Sequence, residues 1–201
     1  MWRPSFFCGD PMVGILAQLD GYLARHPDER DAVARTRDLL LHEPRCFERD
    51  CWRPGHITGS AWLVDAAGSR VLLTHHRKLG RWLQLGGHSD GDADPLRVAC
   101  REAEEESGLQ VTPVSTALFD LDVHEIPARH SDPAHLHFDL RFALRVVGSE
   151  RFTLSNESHE LRWVRIAELD RLTQEWSMLR MAKKWLNRNA SASRCTDCET
   201  I

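Results

Sequence analysis

Between Leu136 and Val146 every second residue is large and apolar: Leu136, Phe138, Leu140, Phe142, Leu144 and Val146 alternate with His137, Asp139, Arg141, Ala143 and Arg145. A period of two sends the first set to one face of a strand and the second set to the other. A strand this long with one apolar face belongs in a sheet that other elements cover. Further strand patterns flank it. Ala117, Phe119, Leu121 and Val123 alternate with mostly polar neighbours, and Leu161 to Val164 reads as a short strand. Ala61-Trp62-Leu63-Val64 and Val71-Leu72-Leu73-Thr74 straddle the turn sequence Asp65-Ala66-Ala67-Gly68-Ser69 and read as a β-hairpin. Residues 81–86 form another short strand that runs into a glycine-rich loop, Gly86 to Gly91.

Helical patterns surround these strands. Residues 11–42 read as two helices: Ile15, Leu16, Leu19 and Leu23 recur at helical spacing, His26-Pro27-Asp28-Glu29 restarts the helix, and Ala32, Val33, Leu39, Leu40 and Leu41 follow before Pro44 stops it. This hairpin is expected to be a packing or dimer element. Asp94-Pro95 opens a helix over 95–107 as cap and first residue, and Gly108 closes it in the left-handed conformation. A last helix over 173–188 carries Trp176, Leu179 and Leu186 on one face, and the Ser-, Ala- and Thr-rich tail after it is expected to fray. The fold class expected is α/β (α+β): a mixed central sheet with helices on both sides. The expected divisions are an N-terminal helical extension (1–50), a main domain (51–190) and a flexible tail (191–201).

With 201 residues, 42% apolar and 28% charged, the chain has the makings of one globular domain rather than a disordered segment. Its net charge of −4 argues against broad nucleic-acid binding. No apolar run is long enough to span a membrane, and Pro4 and Asp10 interrupt the start of the chain where a signal peptide needs unbroken apolar residues. The expected location is the cytoplasm, with the six cysteines as reduced thiols. Cys195-Thr196-Asp197-Cys198 is a lone C-x-x-C that could join Cys46 and Cys51 around zinc, although the C-x4-C spacing of the latter is poor for that purpose.

The segment that carries chemistry is Arg101-Glu102-Ala103-Glu104-Glu105-Glu106-Ser107-Gly108-Leu109. On a helix, Leu96, Ala99, Cys100 and Ala103 gather on one side, while Glu102, Glu105 and Glu106 share an arc of about 100° on another. Each like-charged pair there costs a few tenths of a kcal/mol when exposed and more in a cleft. A hard divalent cation with oxygen ligands relieves that repulsion. Mg²⁺ keeps some waters and accepts phosphate oxygens, so the substrate class is a phosphate ester or anhydride.

The spacing from Gly87 through Arg101-Glu102 and Glu105-Glu106 to Gly108-Leu109 resembles the Nudix box, G-x5-E-x7-R-E-U-x-E-E-x-G-U, at seven of its nine defined positions. The resemblance implies a Nudix-type α/β/α sandwich. It also implies a hydrolase that cleaves a phosphoanhydride in a nucleoside diphosphate linked to another moiety, by water attack assisted by Mg²⁺ or Mn²⁺. By the same resemblance Glu102 and Glu106 are the principal metal ligands, and Glu105 is a further ligand or the base that orients the water. The Gly86 carbonyl joins the coordination, while Arg101, Gly87 and Gly108 serve the structure of the motif. Ala103 replaces a larger aliphatic residue. Ala93 replaces the first Glu; Asp92 and Asp94 flank it, and Asp92 is the better substitute because Asp94 is needed as the helix cap. This departure keeps a second reading open: a non-catalytic module that binds a nucleotide or regulates a partner.

Substrate contacts are expected from Lys78, Arg81, His88 and Glu157, the last with Glu160 as its neighbour in the loop before Leu161. His137, Asp139 and Arg141 share one strand face and are candidates to line the cleft. His124, His130, His135 and His137 cluster around the Pro- and His-containing loop 125–135 and are weaker candidates for a transition-metal site. The partners expected are a nucleotide-type small molecule and a second copy of the chain, with no membrane.

Overall fold

The structure, a computed structural model, describes residues 10–77, 80–129, 132–153 and 158–196. Helix α1 (Pro11–Arg25) starts where the Asp10 side chain accepts from the Met12 N–H, and a 3-10 turn at Pro27–Glu29 leads into α2 (Arg30–His42). Strands β1 (Gly55–Val64), β2 (Arg70–His76), β3 (Arg81–Leu83) and β4 (Leu85–His88) precede α3 (Pro95–Ser107). Then come β5 (Gln110–Pro113), β6 (Asp120–Ile126), β7 (His135–Val147) and β8 (Ser158–Arg165), a 3-10 segment Ile166–Arg171, and α4 (Trp176–Thr196).

The strands form one mixed sheet in the order β3-β2-β1-β7-β5, with β4 also on β1, β6 on β7 and β8 on β2. Among the described residues only β1 and β7 run parallel, from Gly55↔Leu136 to Val64↔Arg145. Alternation divides the core between the two faces. Ile57, Ala61, Leu63, Phe138, Leu140, Phe142 and Leu144 pack with α1, α2 and α3, through Ile15, Leu19, Leu39, Leu96, Ala99 and Ala103. Trp62, Val64, Val71, Leu73 and Ala143 pack with the 3-10 segment and α4 on the other face. The N-terminal helices therefore share the core of the sheet. Helix α3 lies so close to β1 that a Cβ at Gly59 would stand 2.6 Å from the Pro95 carbonyl oxygen.

Three features differ from the sequence reading. The turn after Val64 forms, but β1 and β2 pair only at Val64↔Val71; β2 spends its length on β8, from Arg70↔Arg165 to His76↔Ser158. Strand β5 was not expected, because its sequence Gln-Val-Thr-Pro is too short to show a period. The buried face of α4 is Met178, Met181, Ala182 and Trp185, whereas Trp176 is 74% and Leu186 44% exposed. Met and Ala offset by two residues from the aromatic marker define that face. Helix α4 is described as far as Thr196, and Cys198 lies outside the described residues.

Candidate active site

The sequence Asp94-Pro95 starts α3 as a cap should: the Asp94 side chain accepts from the Arg97 N–H at 3.1 Å. Gly108, at φ +69, ends it. Leu96, Ala99, Cys100 and Ala103 are fully buried against the sheet, which fixes the roll of the helix. That roll brings Glu102 and Glu106, one turn apart, against the two glycines of β4. The Gly86 N–H donates to Glu106 Oε1 at 2.8 Å, and Glu106 is only 7% exposed. A Cβ on Gly87 would lie 2.5 Å from Glu102 Cδ and 2.9 Å from Oε1, so glycine is what lets the carboxylate approach the strand. Glu105 is exposed beside this pair.

Arg101 joins the loop to the helix: one Nη2 donates to the His88 carbonyl at 2.8 Å and to Glu102 Oε1 at 2.7 Å. Two carboxylates, one buried and one largely so, thus meet backbone at Gly86-Gly87. This set of hard oxygen donors fits a divalent cation with oxygen ligands, and the Gly86 carbonyl belongs to the same segment.

The carboxylate of Asp92 is committed elsewhere. Arg97 grips it with Nε at 2.7 Å and Nη2 at 2.5 Å, and it accepts the Asp94 N–H at 2.9 Å. Burial pushes its pKa up, but the Arg97 guanidinium and the backbone N–H more than offset this and leave it below the usual carboxylate range. With Asp94 acting as the cap, both acids beside Ala93 are anchored to the start of α3.

Arg81 is exposed and pairs with Glu175 at 3.2 Å, in the segment before α4. Lys78 and Glu157 lie outside the described residues, as does His130, while Glu160 is exposed and holds Arg162 at 2.7 Å. Asp139 and Arg141 do not line an open cleft, each being 2% exposed. Asp139 accepts from Thr58 Oγ1 at 2.9 Å, Ser60 Oγ at 2.7 Å and Arg141 Nε at 2.7 Å. Arg141 also reaches Asp120 and Asp122, and Arg180 and Lys184 of α4 complete the network through Asp120 at 2.7 and 2.6 Å. Buried charges need this degree of pairing.

His88 turns away from Glu102. Neighbouring residues of a strand face opposite sides, and the His88 ring lies 5.2 Å from that of His56 and 5.3 Å from that of His137. His56, on β1, was not a candidate in the sequence. It stands far from the histidines around the long loop in chain order, and only the parallel register His56↔His137 brings it to them.

Residues 56–185 match the family model described as NUDIX domain. Many solved structures are similar to this chain, three of them as follows. An Ap4A hydrolase from C. elegans, as a binary complex, is 16% identical with a TM-score of 0.54, the match covering 67% of this chain and 98% of that one. A MutT protein from Methanosarcina mazei Go1 is 19% identical with a TM-score of 0.54, covering 66% and 94%. The dihydroneopterin triphosphate pyrophosphohydrolase of E. coli is 17% identical with a TM-score of 0.52, covering 66% and 94%. At these identities the likeness is one of fold. No curated protein matches the chain.

Proposed function

The chain belongs to the NUDIX family, and from that premise we propose that it hydrolyses a phosphoanhydride bond in a nucleoside diphosphate linked to another moiety. The observation that carries this reading is the pair Glu102 and Glu106 held against Gly86-Gly87, where Gly87 has no side chain to keep the carboxylate away. Glu102, Glu106 and the Gly86 carbonyl are the residues that would hold Mg²⁺ or Mn²⁺. Bound there, the ion supplies polarisation of a phosphoryl oxygen and offsets the charge that develops during displacement.

The protein's own residues do the rest. Glu105, exposed beside the buried pair, takes a proton from the attacking water as its oxygen bonds to phosphorus and the bridging P–O bond breaks. The leaving phosphate departs with that bridging oxygen. Arg101 holds Glu102 and the His88 carbonyl in register, so that strand and helix present their oxygens together. Of the similar structures, the C. elegans protein is by name a hydrolase of Ap4A and the E. coli protein a pyrophosphohydrolase of dihydroneopterin triphosphate. That range supports the bond class and leaves the flanking group open.

The test is a panel of nucleoside triphosphates, nucleotide sugars, dinucleotide cofactors and capped RNA, each with Mg²⁺ or Mn²⁺, for wild type and Glu106→Gln. Ion-dependent phosphate release that the variant loses is the expected result. Tight nucleotide binding with no release from any member would instead establish the non-catalytic module that the Ala93 departure suggests.

A further inference from the structure

We propose that the chain has a second metal site, distinct from the carboxylates of α3, in which His56, His88 and His137 bind a zinc-class divalent ion. One imidazole comes from each of β1, β4 and β7, and one nitrogen of each lies within 4.8 Å of the others. Sheet register produces this grouping: His56 stands opposite His137 in the parallel pair, and His88 lies opposite Thr58, two residues along β1. The site therefore rests on three hydrogen-bonded strands rather than on loops.

The state of His56 points to a ligand. Its side chain is fully buried. Its Nδ1 lies 3.3 Å from the Cys51 carbonyl, which can only accept, so Nδ1 carries the proton and Nε2 carries the lone pair. That buried Nε2 has no hydrogen-bond partner among the described residues. A carbonyl behind one ring nitrogen and an open lone pair on the other is how metal-binding histidines are oriented. Two further imidazoles stand close. His135 donates from Nδ1 to the Pro133 carbonyl at 2.8 Å, and its Nε2 is 3.3 Å from that of His137. His124, held by Asp122 at 3.0 Å, has its ring 5.7 Å from that of His137. Burial, and then the neighbouring histidines, push the His137 pKa well below its usual value; burial takes that of His56 to about 4.

Neutral imidazoles select zinc, nickel, copper or iron over magnesium, whereas the glutamates favour the hard ion. The two sites lie on opposite faces of β4: Gly87 meets Glu102, and His88, the next residue, joins the histidines. An ion among the histidines would pin the strand from which Gly86 and Gly87 meet the carboxylates.

Untagged protein is stripped with a chelator, loaded with Zn²⁺ in the presence of excess Mg²⁺, desalted, and analysed for metal by mass spectrometry. Wild type and Glu102→Gln are expected to retain about one zinc per chain, and His56→Ala and His137→Ala at least about tenfold less. Replacing zinc by Co²⁺ in the wild type is expected to give the intense visible bands of a four-coordinate nitrogen site, a reading that needs no variant to fold. Negligible zinc in the wild type, weak bands of oxygen-coordinated cobalt, or equal retention in the histidine variants would overturn the proposal. So would zinc lost on Glu102→Gln and kept on His56→Ala.

Discussion

Gly86 donates its backbone N–H to Glu106 Oε1 at 2.8 Å, so β4 aims the carboxylate that lies across from it on α3. Glutamine at 106 keeps an oxygen for this bond and loses the charge. Glu106→Gln is therefore expected to lower turnover by at least about 10²–10³-fold, the scale of one lost electrostatic stabiliser at a reacting phosphate. Its melting temperature should stay within a few degrees of wild type. Unchanged turnover across Mg²⁺ and Mn²⁺ titrations would remove Glu106 from the reaction.

Gly87→Ala tests the neighbouring contact, that of Glu102 with β4, from the strand side. The added methyl would stand 2.5 Å from Glu102 Cδ, and the end of a glutamate side chain is the easier partner to move. Activity is expected to drop by roughly tenfold or more, since small displacements of positioned groups are costly, with the apparent affinity for Mg²⁺ reduced. Stability should change by less than about 1 kcal/mol, because the neighbour that yields is flexible. Full activity would mean that Glu102 can work from another position.

Asp92→Asn separates structure from catalysis next to the missing glutamate. Arg97 and the Asp94 N–H take both oxygens of Asp92, so its loss should cost about 1–2 kcal/mol in denaturant unfolding. Its effect on Mg²⁺ dependence should be smaller than that of Glu102→Gln. A metal requirement that rises as much as in Glu102→Gln would make Asp92 the replacement for the glutamate absent at position 93.

The strand at 136–146 and the helix at 95–107 could be read from the sequence because their periods are long and their ends carry Asp, Pro and Gly. Gly87 and Glu102 were both marked by the one short motif that holds them, but their contact between β4 and α3 was not, since the sequence reading placed Gly87 in a turn. The histidine group was not. It depends on a parallel register between chain positions about eighty residues apart, and no local pattern encodes which of two distant strands will pair. Asp139 and Arg141 misled for a related reason. Polar residues on an alternating strand look solvent-facing, yet Thr58 and Ser60 of β1 and the cations of α4 cover them.

Asp120 connects the sheet to both flanking layers, and its charge makes the fold sensitive to acid. It accepts from Arg180 and Lys184 of α4 at 2.7 and 2.6 Å and lies 3.5 Å from the Tyr22 hydroxyl of α1. Burial pushes its pKa up, but Arg141, Arg180 and Lys184 together carry it below the ordinary carboxylate value. A carboxylate with a depressed folded pKa contributes its full stability above the unfolded value, about 3.9. That contribution is lost as pH falls toward the folded value. Asp120→Asn, which leaves buried cations without their partner, should cost about 3–5 kcal/mol at neutral pH. The variant's stability should also fall less steeply than wild type below about pH 4, because one of the linked protons has gone. Urea unfolding of both proteins from neutral pH down to the acid transition measures the two slopes. Parallel curves would show that the acid sensitivity lies in other carboxylates, with Asp122, held low against its burial by the His124 hydrogen bond and then by Arg141 and Arg180, the first to examine.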